Sequence, residues 1–213
     1  MYFLPEKLDE YIVSHSQEEP ELLQQLTRET YLKILQPIML SGPYQGRVLS
    51  MISKLVRPKT ILELGTFTGY ATICLAEGLQ KEGEIHTIDI KEELEDFQRK
   101  YFNKSGYGSQ IHQHLGNAVD IIPTLDKTFD LVFIDADKPN YVNYFNLIID
   151  KLNSGGIILS DNVLWHGKVV EKLNPKDIST KAVLDFNTLL KEDSRIETVV
   201  LPIRDGLTIS RKL

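Results

Sequence analysis

Three side chains that carry oxygen sit directly after apolar runs. Asp135 follows Phe129-Asp-Leu-Val-Phe-Ile134, and Asp161 with Asn162 follows Ile157-Ile-Leu-Ser160. Runs of this composition read as buried strands, and a polar side chain where such a strand emerges stands at a sheet rim. Two carboxylates and an amide oxygen suit a hard divalent ion such as Mg2+, which takes about six oxygens in an octahedron. Three protein donors leave about three positions open, enough for two adjacent oxygens of one substrate, such as a vicinal diphenol, and a water. No histidine or thiolate joins the group, which disfavours zinc. Each acid by itself reads as readily as a helix cap or a turn residue. Three such residues around one sheet make that reading poor. Lys138 follows Asp135 closely and would reach the same space. Beside a divalent cation the neutral form of a lysine is favoured, so it can take a proton from a hydroxyl that the metal has made more acidic. Read by itself, Lys138 is a surface lysine opening a helix.

A second stretch with chemical content is Thr60-Ile-Leu-Glu-Leu-Gly-Thr-Phe-Thr-Gly-Tyr-Ala-Thr-Ile-Cys-Leu-Ala76. Ile61, Leu62 and Leu64 read as a short buried strand, Gly65 and Gly69 bracket a tight turn, and Tyr70 to Leu79 reads as a helix. A strand passing through a glycine turn into a helix offers backbone N–H groups to a closely approaching ligand. Glu63 inside the apolar run requires a partner. Next, Glu84-Ile-His-Thr-Ile-Asp89 alternates as a second strand, and Asp89 lies 24 residues after Gly65. An acid there is placed to accept hydrogen bonds from a ribose diol, or to cap the following helix, Glu92 to Ser105. The Gly-x-x-x-Gly spacing differs from the Gly-x-Gly-x-x-Gly of dinucleotide-binding domains. It resembles the first nucleotide-binding motif of class I S-adenosylmethionine methyltransferases.

The elements that must position these residues alternate along the chain. Residues 6–35 read as two charged surface helices interrupted at Ser16 to Pro20, and a turn-rich loop, Met39 to Gly46, feeds a helix from Gln45 to Val56. After the two strands already described come a third at Gln110 to Leu115 and a short helix to Leu125. The strand ending at Asp135 is the fourth, followed by a helix from Tyr141 to Leu152. Ser154-Gly-Gly156 turns into the fifth strand, a loop over Val163 to Lys176 follows, and Ser179 to Glu192 is helical. Ile196 to Leu201 and Leu207 to Arg211 are joined too tightly for a parallel crossover, so they form an antiparallel hairpin. The expected fold is α/β: a doubly wound, mostly parallel seven-stranded sheet ending in an antiparallel hairpin, with N-terminal helices. Strands one and four should be neighbours across the switch point, with strand five beside them.

Composition narrows the class. The chain has 213 residues, 42% of them hydrophobic and 25% charged, with net charge −6. That suits one domain with a sizeable core and tilts against a nucleic-acid partner. Cys74 is the single cysteine, which excludes an intrachain disulfide and suits a reducing cytoplasm. No apolar run is long enough for a membrane span, and Met1-Tyr-Phe-Leu-Pro-Glu-Lys-Leu8 does not read as a signal peptide.

The set ILELGTFTGYA, VFIDADKPNY, GGIILSDNVLWHGKV and LPIRDGLTISRK resembles the cation-dependent O-methyltransferases, the family of caffeoyl-CoA and catechol O-methyltransferases, in its small bacterial-type form. The resemblance covers about residues 35–213 in the family's order. It implies one Rossmann-like methyltransferase domain over 1–213, with a helical extension at 1–36 and a catalytic core at 37–213. It implies S-adenosylmethionine as methyl donor and a divalent cation (Mg2+ first, with Mn2+ and Ca2+ as alternatives) on Asp135, Asp161 and Asn162. Lys138 matches the proposed catalytic base, with Asp135 beside it. Glu63, Gly65, Thr66, Tyr70 and Thr72 fall on the donor-binding motif; Thr72 stands where the family usually has serine. Asp89 matches the acid on the ribose, Ala118 the segment flanking the adenine, and Met39 and Ser41 the loop closing near the sulfonium. Asp135 borders the donor as well, and Trp165 matches an aromatic position at the substrate mouth. Pro43-Tyr44 departs from the more acidic residues many members carry, and His114 has no matched role. The resemblance further implies a small phenolic acceptor, no nucleic-acid or membrane partner, a homodimer and a cytoplasmic location. The competing readings are a methyltransferase acting on RNA or protein, a non-catalytic S-adenosylmethionine-binding module, and a nicotinamide dehydrogenase, which the glycine spacing disfavours.

Overall fold

The computed structural model of the chain describes residues 5–213, so Met1 to Leu4 of the stretch read above for a signal peptide lie outside the described residues. Two helices come first, α1 (Glu6–Ser14) and α2 (Glu21–Lys33), each entered through a proline. α3 (Gly42–Val56) begins earlier than Gln45, where the sequence pattern started it, with Pro43 in its first turn. Proline is tolerated there because the N–H it lacks would have had no helical acceptor. The alternating part follows as β1 (Thr60–Leu64), α4 (Tyr70–Ala76), β2 (Glu84–Asp89), α5 (Glu95–Lys104), β3 (Ile111–Leu115) and α6 (Ala118–Ile121). It continues as β4 (Phe129–Ile134), α7 (Tyr141–Ile148), β5 (Leu152–Asp161), α8 (Ile178–Glu192), β6 (Ile196–Leu201) and β7 (Leu207–Lys212).

The seven strands form one sheet in the order β3-β2-β1-β4-β5-β7-β6. The first five are parallel, and β7 runs antiparallel to both β5 and β6. The order reverses between β1 and β4, which makes their C-terminal ends the expected ligand crevice. Side-chain alternation divides the interior into two apolar layers. Leu62, Leu64, Val132, Ile134 and Ile158 pack on the face that also holds Tyr141, Phe145 and Phe186. Ile61, Leu131, Phe133 and Leu159 pack on the opposite face with Leu23, Leu49 and the α4 side chains. Among the described residues no helix is long and apolar enough to cross a membrane.

Several boundaries differ from the sequence reading for local reasons. The first motif helix stops at Ala76, short of Leu79. Ser53 Oγ donates to the Leu75 carbonyl at 2.5 Å, and Gly78 lies so close to the Ser53 backbone that a Cβ would meet it at 2.2 Å. The helix expected over Glu92 to Ser105 splits into a 3-10 turn, Glu92–Leu94, and α5. Ser154-Gly-Gly156, expected as a turn before β5, lies within β5, and α7 ends at Ile148. Buried Leu152 pairs with Phe129, and the register shifts before Leu131. Gly155, at φ 77°, absorbs the extra length as a bulge that a side-chain-bearing residue would resist.

Candidate active site

A cavity of about 1380 Å3 opens over the C-terminal ends of β1, β2, β4 and β5. Its floor depends on Gly65. This residue sits at φ 95°, and a Cβ there would lie 2.1 Å from the Asp135 carbonyl oxygen. Only glycine lets the β1 turn cross the β4 end this closely. The Asp135 N–H donates to the Leu64 carbonyl at 2.8 Å and the Gly65 N–H to the Ile88 carbonyl at 2.9 Å, so the two strand ends are locked beside β2. Asp89 follows there. Its carboxylate accepts from the Phe67 N–H at 2.7 Å and the Lys91 N–H at 3.0 Å, and it lines the cavity with Phe67, Ile88, Ile90 and Ala118. An acid with lone pairs to spare beside apolar walls is suited to a ribose diol next to a base.

A second group of acids comes from adjacent strands. Ile134 pairs with Ser160 in the β4–β5 register, so Asp135 and Asp161 leave the sheet side by side, with Asn162 next to them in the cavity wall. Asn162 is at φ 58°, a left-handed conformation that asparagine tolerates better than most residues. Asp161 is buried, and its carboxyl is pushed up to about 6, first by burial and then by the Asp135 charge. Its oxygens accept from Gln45 Nε2 at 2.7 Å and from the Asn162 N–H at 2.8 Å. Among the described residues the cation at the pair is Lys138, 7% exposed, whose Nζ stands 3.4 Å from Asp135 Oδ1 and 3.3 Å from the Ala136 carbonyl. Lys138 also donates to the Tyr141 hydroxyl, and burial raises that phenol well above its ordinary value, so it stays protonated. Two facing carboxylates with one long ammonium contact are a donor set for a hard cation. Among the described residues no three His, Cys, Asp or Glu side chains group to hold a metal, so a third protein ligand at this pair would have to be an amide such as that of Asn162. The Trp165 ring lines the same cavity, its centroid 5.9 Å from Lys138 Nζ.

Not every residue assigned to the donor reaches the cavity. Met39, Ser41, Gly65, Asp89, Ala118 and Asp135 line it, as do Lys138, Asp161, Asn162 and Trp165. Glu63, Thr66, Tyr70 and Thr72 lie beneath its floor. Alternation along β1 turns Glu63 away from the Leu62 and Leu64 face and toward α4, where Thr72 and Thr87 both donate to its Oε2. Burial, reinforced by the Asp135 and Asp89 charges, pushes the Glu63 carboxyl up to about 8. Thr66 Oγ1 bonds Thr87 Oγ1. Tyr70 points into the packing between α3 and α4, with its hydroxyl on Glu19 at 2.5 Å. These four shape the turn from below. His114 is also away from the cavity; its Nε2 lies 2.9 Å from His86 Nδ1 in a stack on β2 and β3.

The sequence reading missed Gln45, Tyr141, Arg204 and Asp205. The first was read as a helix start and the last two as a hairpin link. Their partners lie far along the chain: Gln45 on Asp161, Arg204 Nη1 on the Gln45 amide oxygen at 2.9 Å and the Leu40 carbonyl at 3.1 Å. Asp205 Oδ1 accepts from the His166 N–H at 2.6 Å. The segment LPIRDGLTISRK held the signal, because a charged Arg-Asp pair in a hairpin link facing a ligand crevice has a position to serve.

Known proteins identify the family. The family model described as O-methyltransferase matches residues 13–213. Caffeoyl-CoA O-methyltransferase 1 of Arabidopsis thaliana is 35% identical over 212 residues, covering 92% of this chain and 79% of the plant enzyme. The SAH-bound methyltransferase PaMTH1 of Podospora anserina superposes with a TM-score of 0.89 at 29% identity, over 99% of this chain and 98% of that one. TomG, an O-methyltransferase of Streptomyces achromogenes involved in tomaymycin synthesis and solved in complex with SAM, gives 0.88 at 29% identity over 97% and 96%. The chain belongs to the O-methyltransferase family and is an S-adenosylmethionine-dependent enzyme of that class.

Proposed function

We propose that this enzyme is cation-dependent and methylates one hydroxyl of a vicinal diphenol. The observation that carries the reading is the pair Asp135 and Asp161, side by side at the switch point, with Lys138 as their nearby cation. A divalent ion held by Asp135, Asp161 and Asn162 would offset the crowded negative charge, and three protein donors leave room for a bidentate acceptor. Mg2+ fits the all-oxygen set first, with Mn2+ and Ca2+ as alternatives. When bound, the donor supplies an electrophilic methyl group, and the cation supplies Lewis acidity toward the acceptor hydroxyl.

The chain's own residues do the rest. Lys138 Nζ, braced by Tyr141 and the Ala136 carbonyl, is the nitrogen placed to receive the hydroxyl proton. Asp89 takes the ribose hydroxyls, and Ala118 lies against the adenine. Met39 and Ser41 line the donor side, while Trp165 covers the acceptor and excludes water. Glu63, Thr66, Tyr70 and Thr72 hold the Gly65 turn in the shape that admits the donor. Positioning is the largest contribution, on the order of 7–11 kcal/mol for well-held reactants. The unit is one domain, a core at 37–213 with the helices of 1–36 as an extension. Exposed Leu8, Tyr11, Tyr31, Leu32 and Leu35 on that extension support a homodimer. A cytoplasmic location and the absence of nucleic-acid and membrane partners belong to the same reading.

The test is methyl transfer from labelled S-adenosylmethionine to a panel of vicinal diphenols, with Mg2+ and with EDTA. Transfer that requires the ion and yields a monomethyl ether is the expected result. Transfer that survives complete chelation would remove the cation from the reading, and transfer confined to RNA or protein would replace the acceptor.

A further inference from the structure

Arg204 lies in the link between β6 and β7 at φ 49°, a conformation that glycine takes freely and other residues take at a cost. Something must hold it there. Its Nη1 donates to the Leu40 carbonyl at 3.1 Å, to the Ser41 carbonyl, and to Gln45 Oε1 at 2.9 Å. Gln45 is 1% exposed and passes the contact on, donating from Nε2 to Asp161 Oδ2 at 2.7 Å. A guanidinium has only donors, so its presence obliges the Gln45 amide to turn its oxygen toward Arg204 and its NH2 toward Asp161. Without it the amide oxygen loses its donor, and one of the two contacts that fix the Gln45 side chain is gone. The neighbouring residue ties the opposite wall: Asp205 accepts from the His166 N–H, and its carbonyl accepts from the Leu164 N–H at 2.9 Å.

We propose that Arg204 and Gln45 are positioning residues for methyl transfer. Arg204 clamps the Leu40–Ser41 loop on the donor side, and through Gln45 it orients Asp161 on the acceptor side. One link thereby sets the separation of the two reactants. The inference rests on the reading above, in which Met39 and Ser41 border the donor and Asp161 serves the acceptor. A purely structural Arg204 would be replaceable by glycine, which relieves the backbone and loses only surface-loop contacts.

The experiment measures the Kd for S-adenosylmethionine by calorimetry, with kcat and KM on catechol, and the melting temperature of each variant. Arg204→Gly is expected to remain folded, to weaken donor binding roughly tenfold, and to lower kcat by a similar factor. Gln45→Met should lower kcat while moving donor affinity less. The double variant should be no worse than the worse single one, because both remove the same relay. Arg204→Lys should recover part of the donor affinity, since an ammonium reaches the carbonyls but cannot match the guanidinium fork. Asp205→Ala, which removes the acceptor of the His166 N–H and loosens the Trp165 side, should raise the catechol KM and leave donor Kd within about twofold. Wild-type Kd and kcat in Arg204→Gly would overturn the proposal, as would strictly additive single effects or losses that simply follow melting temperature across the set. A wild-type enzyme that binds no S-adenosylmethionine would overturn the underlying reading and this inference with it.

Discussion

The two ends of the sheet each hold a cavity with an aspartate in or directly after β4, and they differ in how completely that aspartate is satisfied. At the N-terminal end a cavity of about 640 Å3 contains Asp130. Its Oδ2 accepts from the Lys59 and Thr60 N–H groups at 2.7 and 3.1 Å, and its Oδ1 from Asn153 Nδ2 at 2.8 Å. At the C-terminal end Asp135 faces buried Asp161 with one ammonium contact at 3.4 Å. The first carboxylate ties β1, β4 and β5 together at their start and has its partners. The second belongs to a pair that meets one ammonium among the described residues, and burial makes that imbalance costly. The proposed site lies where charge is left uncompensated, not simply where a cavity contains an acid.

The sharpest way to break this contrast is Asp161→Ala. On the proposed reading it removes one ligand of the cation and leaves Gly65 and Asp89 untouched, so turnover should fall to background while S-adenosylmethionine still binds. Isotope transfer and titration calorimetry on the same preparation would check it. Loss of donor binding in a folded variant would mean that Asp161 serves the donor instead. Lys138→Met comes next. If Lys138 receives the hydroxyl proton, this change removes that acceptor while keeping most of the side chain's length, and kcat should fall about 10^2–10^4-fold with donor affinity retained. Circular dichroism would confirm that the Tyr141 contact was not holding the fold.

Legibility in the sequence follows the same division between local and distant partners. Asp135, Asp161 and Asn162 were legible because each ends an apolar run, and a strand's composition announces its own exit. The parallel order and the final hairpin were legible for the same reason, through alternation and link length. Arg204 and Gln45 were not. Their contacts join residues separated by 159 and 116 positions, and nothing near either residue says which carbonyl or carboxylate it meets. The face of Glu63 was half legible: its burial demanded a partner, but Thr72 and Thr87 emerge only when α4 and β2 are placed beside β1. The β5 bulge was misread because Ser-Gly-Gly is turn chemistry unless a buried leucine before it already has a strand partner.

Glu63 sharpens the contrast from below the site. Its carboxyl titrates near 8 in the folded chain against an ordinary 4.5, so the folded protein holds the proton more tightly than the unfolded one. The sign follows directly: stability is greatest below about pH 4.5 as far as this group is concerned, and it falls as pH rises toward 8. Other groups add their own slopes, so the diagnostic is a difference. Glu63→Gln in the donor-free protein should flatten the decline between those limits, by up to a few kcal/mol. Denaturant melts at a series of pH values would measure it. Parallel curves for variant and wild type would show that Glu63 is ionised in the fold.

The smallest effect is expected at the satisfied end. Asp130→Ala deletes the acceptor for two backbone N–H groups and for Asn153, yet the position is only partly buried, so water can replace much of what is lost. The cost should be about 1–2 kcal/mol, read as a shift in denaturant midpoint without a change in slope. Donor affinity, kcat and dependence on Mg2+ should stay as in wild type, because the C-terminal rim is held by its own contacts between Gly65, Ile88 and Asp135. If Asp130→Ala lowered kcat as strongly as Lys138→Met at equal stability, strand β4 would be transmitting strain from one end to the other. The two cavities would then be one coupled system, and the division between structural and chemical carboxylates would fail.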